Sequence, residues 1–476
     1  MAELKAGVGY SAITPPTGVA LAHGAVYQPV ISRGRRGNLD GAALVLEYGS
    51  ERFALLQLDL FAVSAQTTNT IRVAVSRLTQ IAAENIIIAC ARNNSSPATI
   101  LKCGGGRPDA AYMEILPPLL ASAVLQGIEN LETTEVFAGR SNLVGATRSV
   151  PNSDGLTDSE MQTLEFISQE SADAILLFCF ACPPDSFEAE DAEISPDFLT
   201  RARRLLESEF EDALFLQGSC GDVESVYARQ NEMPRVGQMI AGAAFIAVGQ
   251  AVRQENPYPV RCVSRTIPLP LNPPTRAELE NRRDDNRALL AERDANTDEG
   301  RRARFWAESC ESLLMQLTGE SDPWLEMLRD AQAEIAAQTS REPRLGEIAQ
   351  FMDLPPDAVS RLLRLQQEHA AEGIAPPKAL DCEIQILQIG DAVLLAHPLE
   401  LCAEFGLEIK RRSPFPHTFL ISCANGYLGV LPNEAAFARR DYAAEMLPYA
   451  LDQFPFAPNA GRVFTEACLS ILQEIK

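Results

Sequence analysis

The hydrophobic pattern of this chain changes character twice. Up to about residue 265, short apolar runs alternate with stretches of helical spacing. GAALVLEYG (41–49), RFALLQLDL (52–60), NIIIACA (85–91), AILLFCFAC (174–182) and DALFLQGSC (212–220) read as strands bounded by turn residues. SAQTTNTIRVAVSRLTQIAAE (64–84) and PDFLTRARRLLESEF (196–210) read as helices between them. After IPLPLNPPT (267–275) the β-branched runs disappear, and to about residue 375 Glu, Arg, Ala, Leu and Gln dominate, with apolar residues near helical spacing. Strand pattern returns in CEIQILQIGDAVLLAHP (382–398) and TFLISCANGYLGVLP (418–432), with a helix expected over about 399–410. The expectation is an α/β core with a mostly buried sheet, made of residues 1–265 and 377–476 and interrupted by a helical insertion at 266–376. That insertion could mediate self-association; a solvated helical cap is the plainer reading.

Loops that follow the apolar strands gather at one edge of such a sheet: ARNNSSPA (91–98), ACPPDSFEAED (181–191), QGSCGDVES (217–225), HPLELCAEFG (397–406) and ANGYLGVLP (424–432). A cleft shared by these loops is where a site is expected.

Composition narrows the partners. With 64 acidic against 41 basic side chains the chain carries −23 at pH 7, which argues against nucleic acid or an anionic membrane surface, since both need basic patches. The opening MAELKAGVGYSAITPP has no apolar core of a signal peptide, and no uninterrupted apolar run is long enough to span a bilayer. Eleven cysteines, most of them inside apolar runs, read as reduced core residues of a cytoplasmic protein. Cys179 and Cys182 have C-x-x-C spacing, but within an apolar strand and without a second pair burial is the better account.

Several segments, in the right order, resemble the neutral/alkaline ceramidases. AGVGYSAITPPTGVALA is similar to that family's opening D-I-T-P-P-x-G segment, and RGNLDGAALVLEYG with FALLQLDL to its first hairpin. SPDFLTRARRLLE and LFLQGSCGDVES resemble its mid-chain helix and Q-G-x-x-G-D-V segment, and RRSPFPHTFLISCANGYLGVLPNEAAF is the closest match. The resemblance implies a mixed-sheet α/β core and a zinc amidohydrolase, in which two histidines, a glutamate and a tyrosine hold zinc and the zinc-bound water attacks an amide. It also implies that the immunoglobulin-like tail of the secreted members is absent here, because the chain ends soon after VFTEACLSILQEIK.

Under that resemblance the family's T-H-T-H-S-G-P loop falls on ARNNSSP, with Arg92 and Asn94 at the two histidine positions and Asn93 between them. F-A-C-H-P-T falls on FACPPD, placing Pro183 at a zinc histidine, whereas A-L-P-G-E-P falls on AHPLEL and keeps Glu400. N-x-Y-x-G-Y falls on NGYLGV and keeps Tyr427; G-D-V-[SN]-P-N falls on GDVESV, so Asp222 is kept and Glu224 replaces a serine or asparagine. Two ligands survive and both imidazoles are gone. Arginine stays protonated and cannot coordinate, proline has no side-chain donor, and asparagine oxygen suits calcium better than zinc. A carboxylate and a phenol fall short of the three protein ligands of a catalytic zinc.

The expectation is therefore a ceramidase-like protein without zinc or another cofactor. It would have lost amidohydrolase activity and kept a remnant cleft for a small or lipid-like ligand, lined by Arg92, Asn93, Asn94, Pro183, Asp222, Glu224, Glu400 and Tyr427. Arg92 is expected either to pair with Glu400, roughly where the metal would stand, or to point into solvent. The alternative is a divergent hydrolase of an amide in a ceramide-like or other N-acyl substrate. It would use a metal site rebuilt from His397, Glu400 and Tyr427, with His23 nearby, or metal-free acid/base residues such as Glu224 with Glu400. Ser219 and Cys220 lie in a Gly-rich turn that is not G-x-S-x-G. His417 is expected to make a structural hydrogen bond and His369 to lie on the surface of the insertion.

Overall fold

Strands of up to eleven residues pair side by side into two main sheets. The computed structural model describes residues 3–22, 29–103, 105–150, 155–186, 191–227, 232–254, 259–318, 323–339, 341, 343–352, 354–372 and 374–476. The chain divides into two units. One comprises Met1–Pro270, Ala379–Leu447 and Phe456–Lys476, and the other Leu271–Lys378 and Pro448–Pro455.

In the first unit the larger sheet runs, edge to edge, Asp212–Gln217, Ala174–Phe180, Glu160–Ser168, Glu132–Asn142, Leu4–Ala12, Asp40–Tyr48, Glu51–Leu58 and Ile86–Cys90, with Val252–Arg253 paired to Glu132–Asn142. The sheet is mixed: the two strands at each end are parallel and the interior pairs antiparallel. Ile86–Cys90 is buried along its whole length, which is why its sequence is a continuous apolar run and not an alternation. A second sheet has the order Val260–Pro270, Ala379–Ile389, Ala392–Ala396, His417–Ile421.

Leu44, Phe166 and Leu214 of the large sheet share one apolar core with Leu387, Leu394 and Phe419 of the small one. Each such side chain contributes roughly 1.5–3 kcal/mol through its removal from water. The other face of the large sheet is covered by Ala65–Thr79 and Ala110–Glu129 over one half, and by Leu199–Leu206 and Met233–Gly249 over the other. Gly7 and Gly9 let Ala110–Glu129 lie directly on the first strand: a Cβ on Gly9 would stand 2.1 Å from the Ala123 carbonyl oxygen. Among the described residues Ala110–Glu129 is the one helix long and apolar enough to cross a membrane. It is packed here as a core helix, so no clear membrane span is present.

Two arginine–carboxylate pairs, one half-buried and one buried, help tie this unit together. Arg72 of Ala65–Thr79 donates to both oxygens of Glu383 at 3.1 Å and to Gln385 at 2.8 Å, joining the helix to the second sheet. Arg203 of Leu199–Leu206 donates to both oxygens of Asp59 at 2.7 and 2.6 Å, and Asp59 also accepts the Asp40 amide at 3.0 Å. Asp59 is fully buried. Its carboxylate therefore depends on Arg203 for compensation.

The second unit is helical among its described residues: Arg276–Glu292, Asp298–Thr318, Pro323–Thr339, Leu345–Phe351 and Pro356–Glu372. Thr275 and Glu278 form a reciprocal capping box at its first helix. Leu325, Leu328, Ala331, Ile348 and Val359 make a small core. Trp306 meets Tyr449 edge-on with ring centroids 5.0 Å apart, and the Arg282 guanidinium lies 4.6 Å over Trp306, so Pro448–Pro455 belongs to this unit through an aromatic contact.

Replacing Arg203 by Met leaves the buried Asp59 without a counter-charge. The expected cost is about 3–5 kcal/mol, read by urea denaturation. The double variant D59N/R203M, which buries no charge, should recover part of it.

Candidate functional site

Two loops meet beyond the end of Ile86–Cys90. The Asn425 amide donates to the Ile88 carbonyl at 2.8 Å, the Asn425 side-chain oxygen accepts the Ile88 amide at 2.9 Å, and the Cys90 amide donates to the Cys423 carbonyl at 3.2 Å. These bonds stitch the loop after His417–Ile421 onto the edge strand. Arg92, Cys423 and Asn425 all take positive φ, 62°, 54° and 59°. Left-handed backbone is costly for residues with a Cβ and concentrates at sites held by their surroundings. Glu400 comes from a third loop: Glu400–Leu401 pairs in parallel with Val430–Leu431, and the Glu400 amide donates to the Gly429 carbonyl at 2.9 Å. A fourth is pressed against it at Gly221, where a Cβ would stand 2.5 Å from the Glu400 carbonyl oxygen.

At the centre Arg92 Nε donates to Glu400 Oε2 at 2.9 Å, and the Tyr427 hydroxyl donates to Glu400 Oε1 at 2.5 Å. Arg92 Nη1 lies 3.5 Å from Asp185 Oδ2, and Cys220 Sγ 4.0 Å from Glu400 Oε2. Glu400 is 1% exposed. Burial alone would lower the Arg92 pKa, but Glu400 and then Asp185 hold it well above its ordinary value. Burial and then the neighbouring Glu400 push the Tyr427 phenol well above its usual range. The arrangement is a charged arginine beneath a carboxylate, with a neutral phenol on the carboxylate's other oxygen.

Phe61 floors the same place. Its ring meets Tyr427 edge-on at 5.2 Å, with the Arg92 guanidinium 5.5 Å and the Lys102 ammonium 3.8 Å from its centroid. Burial lowers the Lys102 pKa to about 8; Glu400 opposes that shift and Arg92 adds to it. A cavity of about 590 Å³ opens over these groups, and Val150, Val430 and Leu447 are among the apolar residues that line it.

The structure brings Arg92, Asn94, Asp222, Glu224, Glu400 and Tyr427 to this one cavity. Arg92 pairs with Glu400 and does not point into solvent. Asn93 is turned away: it is fully buried, donates to the carbonyls of Asp59 and Ser195 at 3.1 and 2.8 Å, and accepts the Ser95 amide. It holds the loop's shape from behind. Pro183 is buried and outside the cavity lining. Asp222 accepts the Ala403 amide at 2.7 Å at the start of Ala403–Arg412, and Glu224 accepts from Arg148 Nε at 2.7 Å. The two carboxylates of the expected Glu224–Glu400 pair are thus each engaged by a different arginine, Arg148 and Arg92.

The rebuilt metal set does not assemble. His397 is fully buried, packs edge-on against Phe464 at 5.2 Å and accepts the Leu399 amide at its Nδ1; it does not line the cavity. Among the described residues no group of three His, Cys, Asp or Glu side chains is placed to hold a metal ion. His23 lies outside the described residues, as does the side chain of His369. His417, expected to make a structural hydrogen bond, has a buried Nδ1 that makes none among the described residues. All eleven cysteines are free thiols, and burial pushes Cys179 up to about 12. Asp185, Phe61 and Lys102 were not anticipated. Asp185 closes the FACPPD segment, and Lys102 is one of only five lysines, the only one between Lys5 and Lys378.

Compared with solved structures, the chain is similar to the neutral ceramidase from Pseudomonas aeruginosa, with a TM-score of 0.63 and 16% identity over 100% of this chain and 75% of that one. It is likewise similar to a ceramidase complexed with C2, with a TM-score of 0.64 and 15% identity over 100% of this chain and 75% of that one. At this identity the likeness defines the fold alone: the chain has a ceramidase-like mixed α/β fold. The family model for Sigma-70 region 3 matches residues 325–371, within the helical unit. No curated protein matches the chain.

Burial lowers the His397 pKa from 6.5 to about 3. As pH falls below 6.5, the unfolded chain takes up a proton that the folded chain refuses. Stability from this group is therefore present above pH 6.5 and lost progressively towards pH 3. In H397Q, denaturation between pH 6.5 and 4 should show a stability slope shallower by about one proton.

Proposed function

We propose that this chain is a ceramidase-fold protein in which a charge pair has replaced the metal, and that it no longer carries out zinc-dependent amide hydrolysis. It keeps the cleft as a binding site for a small or lipid-like ligand. The observation that carries this reading is the contact of Arg92 Nε with Glu400 at 2.9 Å, with Tyr427 on the other carboxylate oxygen.

The donor set does not fit zinc. Both oxygens of Glu400 are engaged, one of them by a permanent cation that would repel a dication. Pro183 offers no donor, Asn94 is a poor one, and His397 packs against Phe464 instead. A buried carboxylate deprived of a metal would cost several kcal/mol unless another positive charge took its place, and Arg92 supplies one. What supports a retained ligand cleft is the cavity of about 590 Å³ over this pair, within the size range of small-molecule sites and with both charged and apolar walls.

Two measurements test this together. Protein purified without chelator or histidine tag should hold less than about a tenth of an equivalent of zinc, set against the three-ligand requirement of catalytic zinc. It should also show no amide hydrolysis of ceramide or other N-acyl substrates with zinc or any other added divalent metal. Near one equivalent of zinc, or hydrolysis restored by a metal, would overturn the reading.

A further inference from the structure

The charged groups around the cavity are nearly all answered by partners. Arg92 has Glu400 and Asp185; Glu224 has Arg148; Arg439 has Asp441 at 3.4 Å; Asp222 has the amide at the start of Ala403–Arg412. Lys102 is different. Its ammonium lies 3.8 Å from the Phe61 centroid, and none of its three N–H donors meets an acceptor among the described residues. Arg92 reaches the same ring, with Nε and Nη1 turned to the carboxylates and Nη2 without a hydrogen bond among the described residues. Two cations thus converge on one aromatic ring, with donors that meet no acceptor among the described residues.

The position of Lys102 is fixed by its loop. The Ala98 amide donates to the Ala20 carbonyl at 2.8 Å, the Thr99 hydroxyl donates to the Ala62 carbonyl, and the Gly105 amide closes a turn on the Lys102 carbonyl at 3.0 Å. The short segment between these anchors carries the lysine to the cavity, whose lining includes the apolar Val150, Val430 and Leu447.

We propose that Lys102, with the free edge of Arg92, is an anion subsite that holds the carboxylate of an amphiphile whose alkyl chain lies along the apolar wall. This rests on the ligand-cleft reading given above. A single negative charge is favoured over a double one: Arg92 and Lys102 are already balanced by Asp185 and Glu400, and Asp222 in the same lining has no cationic partner among the described residues, so every added charge must be met by unused hydrogen-bond donors. Unsatisfied donors in a partly desolvated site gain most from an ionised acceptor.

The test is calorimetric titration of the whole chain with sodium octanoate and, separately, with 1-octanol. Octanoate should bind roughly tenfold tighter than octanol, the scale of a charge-assisted hydrogen bond. K102M should erase that difference and K102R should keep most of it, with unchanged thermal unfolding showing that both variants are folded. Equal binding of the two probes to the native chain, or octanoate binding to K102M as tight as to the native chain, would overturn the anion subsite while leaving the ligand cleft standing. Binding of neither probe would overturn both.

Discussion

A carboxylate removed from water needs a positive charge beside it, and that requirement organises this protein's cavity. Glu400 is 1% exposed, and what answers it is the Arg92 guanidinium at 2.9 Å. Without Arg92 the carboxylate would have to bind a metal, take up a proton or open to solvent. The same demand recurs away from the cavity, where the buried Asp59 is answered by Arg203 and, less stringently, the half-buried Glu383 by Arg72. Guanidinium is well suited to all three places because it is always charged and offers fixed N–H directions to a carboxylate.

The fold brings that pair together from distant parts of the chain. Arg92 and Glu400 are 308 residues apart in sequence. They meet because the edge strand Ile86–Cys90 is stitched to the loop carrying Cys423 and Asn425, and because Gly221 lets a further loop lie flat against Glu400. Arg92, Cys423 and Asn425 all accept left-handed backbone in the process. That local strain is tolerated because the hydrogen bonds and packing around it leave the chain little alternative.

Much of the scaffold was legible because buried strands advertise themselves: the continuous runs at 41–49, 85–91 and 174–182 need no context to be read. Ala110–Glu129 was hidden by Pro117 and Pro118, which normally stop a helix, and Glu132–Asn142 by the polar residues it carries. In the site, Glu400, Tyr427 and Arg92 could be found from the motif resemblance, which with their opposite charges made pairing of Arg92 with Glu400 one of two alternatives; only the folded chain decides between them. His397 misled because nearness to Glu400 in sequence says nothing about side-chain direction; its ring went to Phe464 in the C-terminal helix. The partners of Glu224 and Asp222 are set by tertiary contacts to Arg148 and Ala403 that no local pattern encodes. Lys102 escaped notice because a single lysine in a Gly-rich loop ordinarily faces water, and only the folded chain puts it over Phe61.

The claim at the centre of this account is that the Arg92–Glu400 contact does the electrostatic work a metal would otherwise do. A double-mutant cycle on R92M, E400M and R92M/E400M, read by denaturant unfolding, measures it directly. A coupling of about 2 kcal/mol or more is expected, with the double variant more stable than R92M alone because it buries no lone carboxylate. A coupling under about 0.5 kcal/mol, the level of independent sites, would mean that the two groups merely lie close together, and would contradict it.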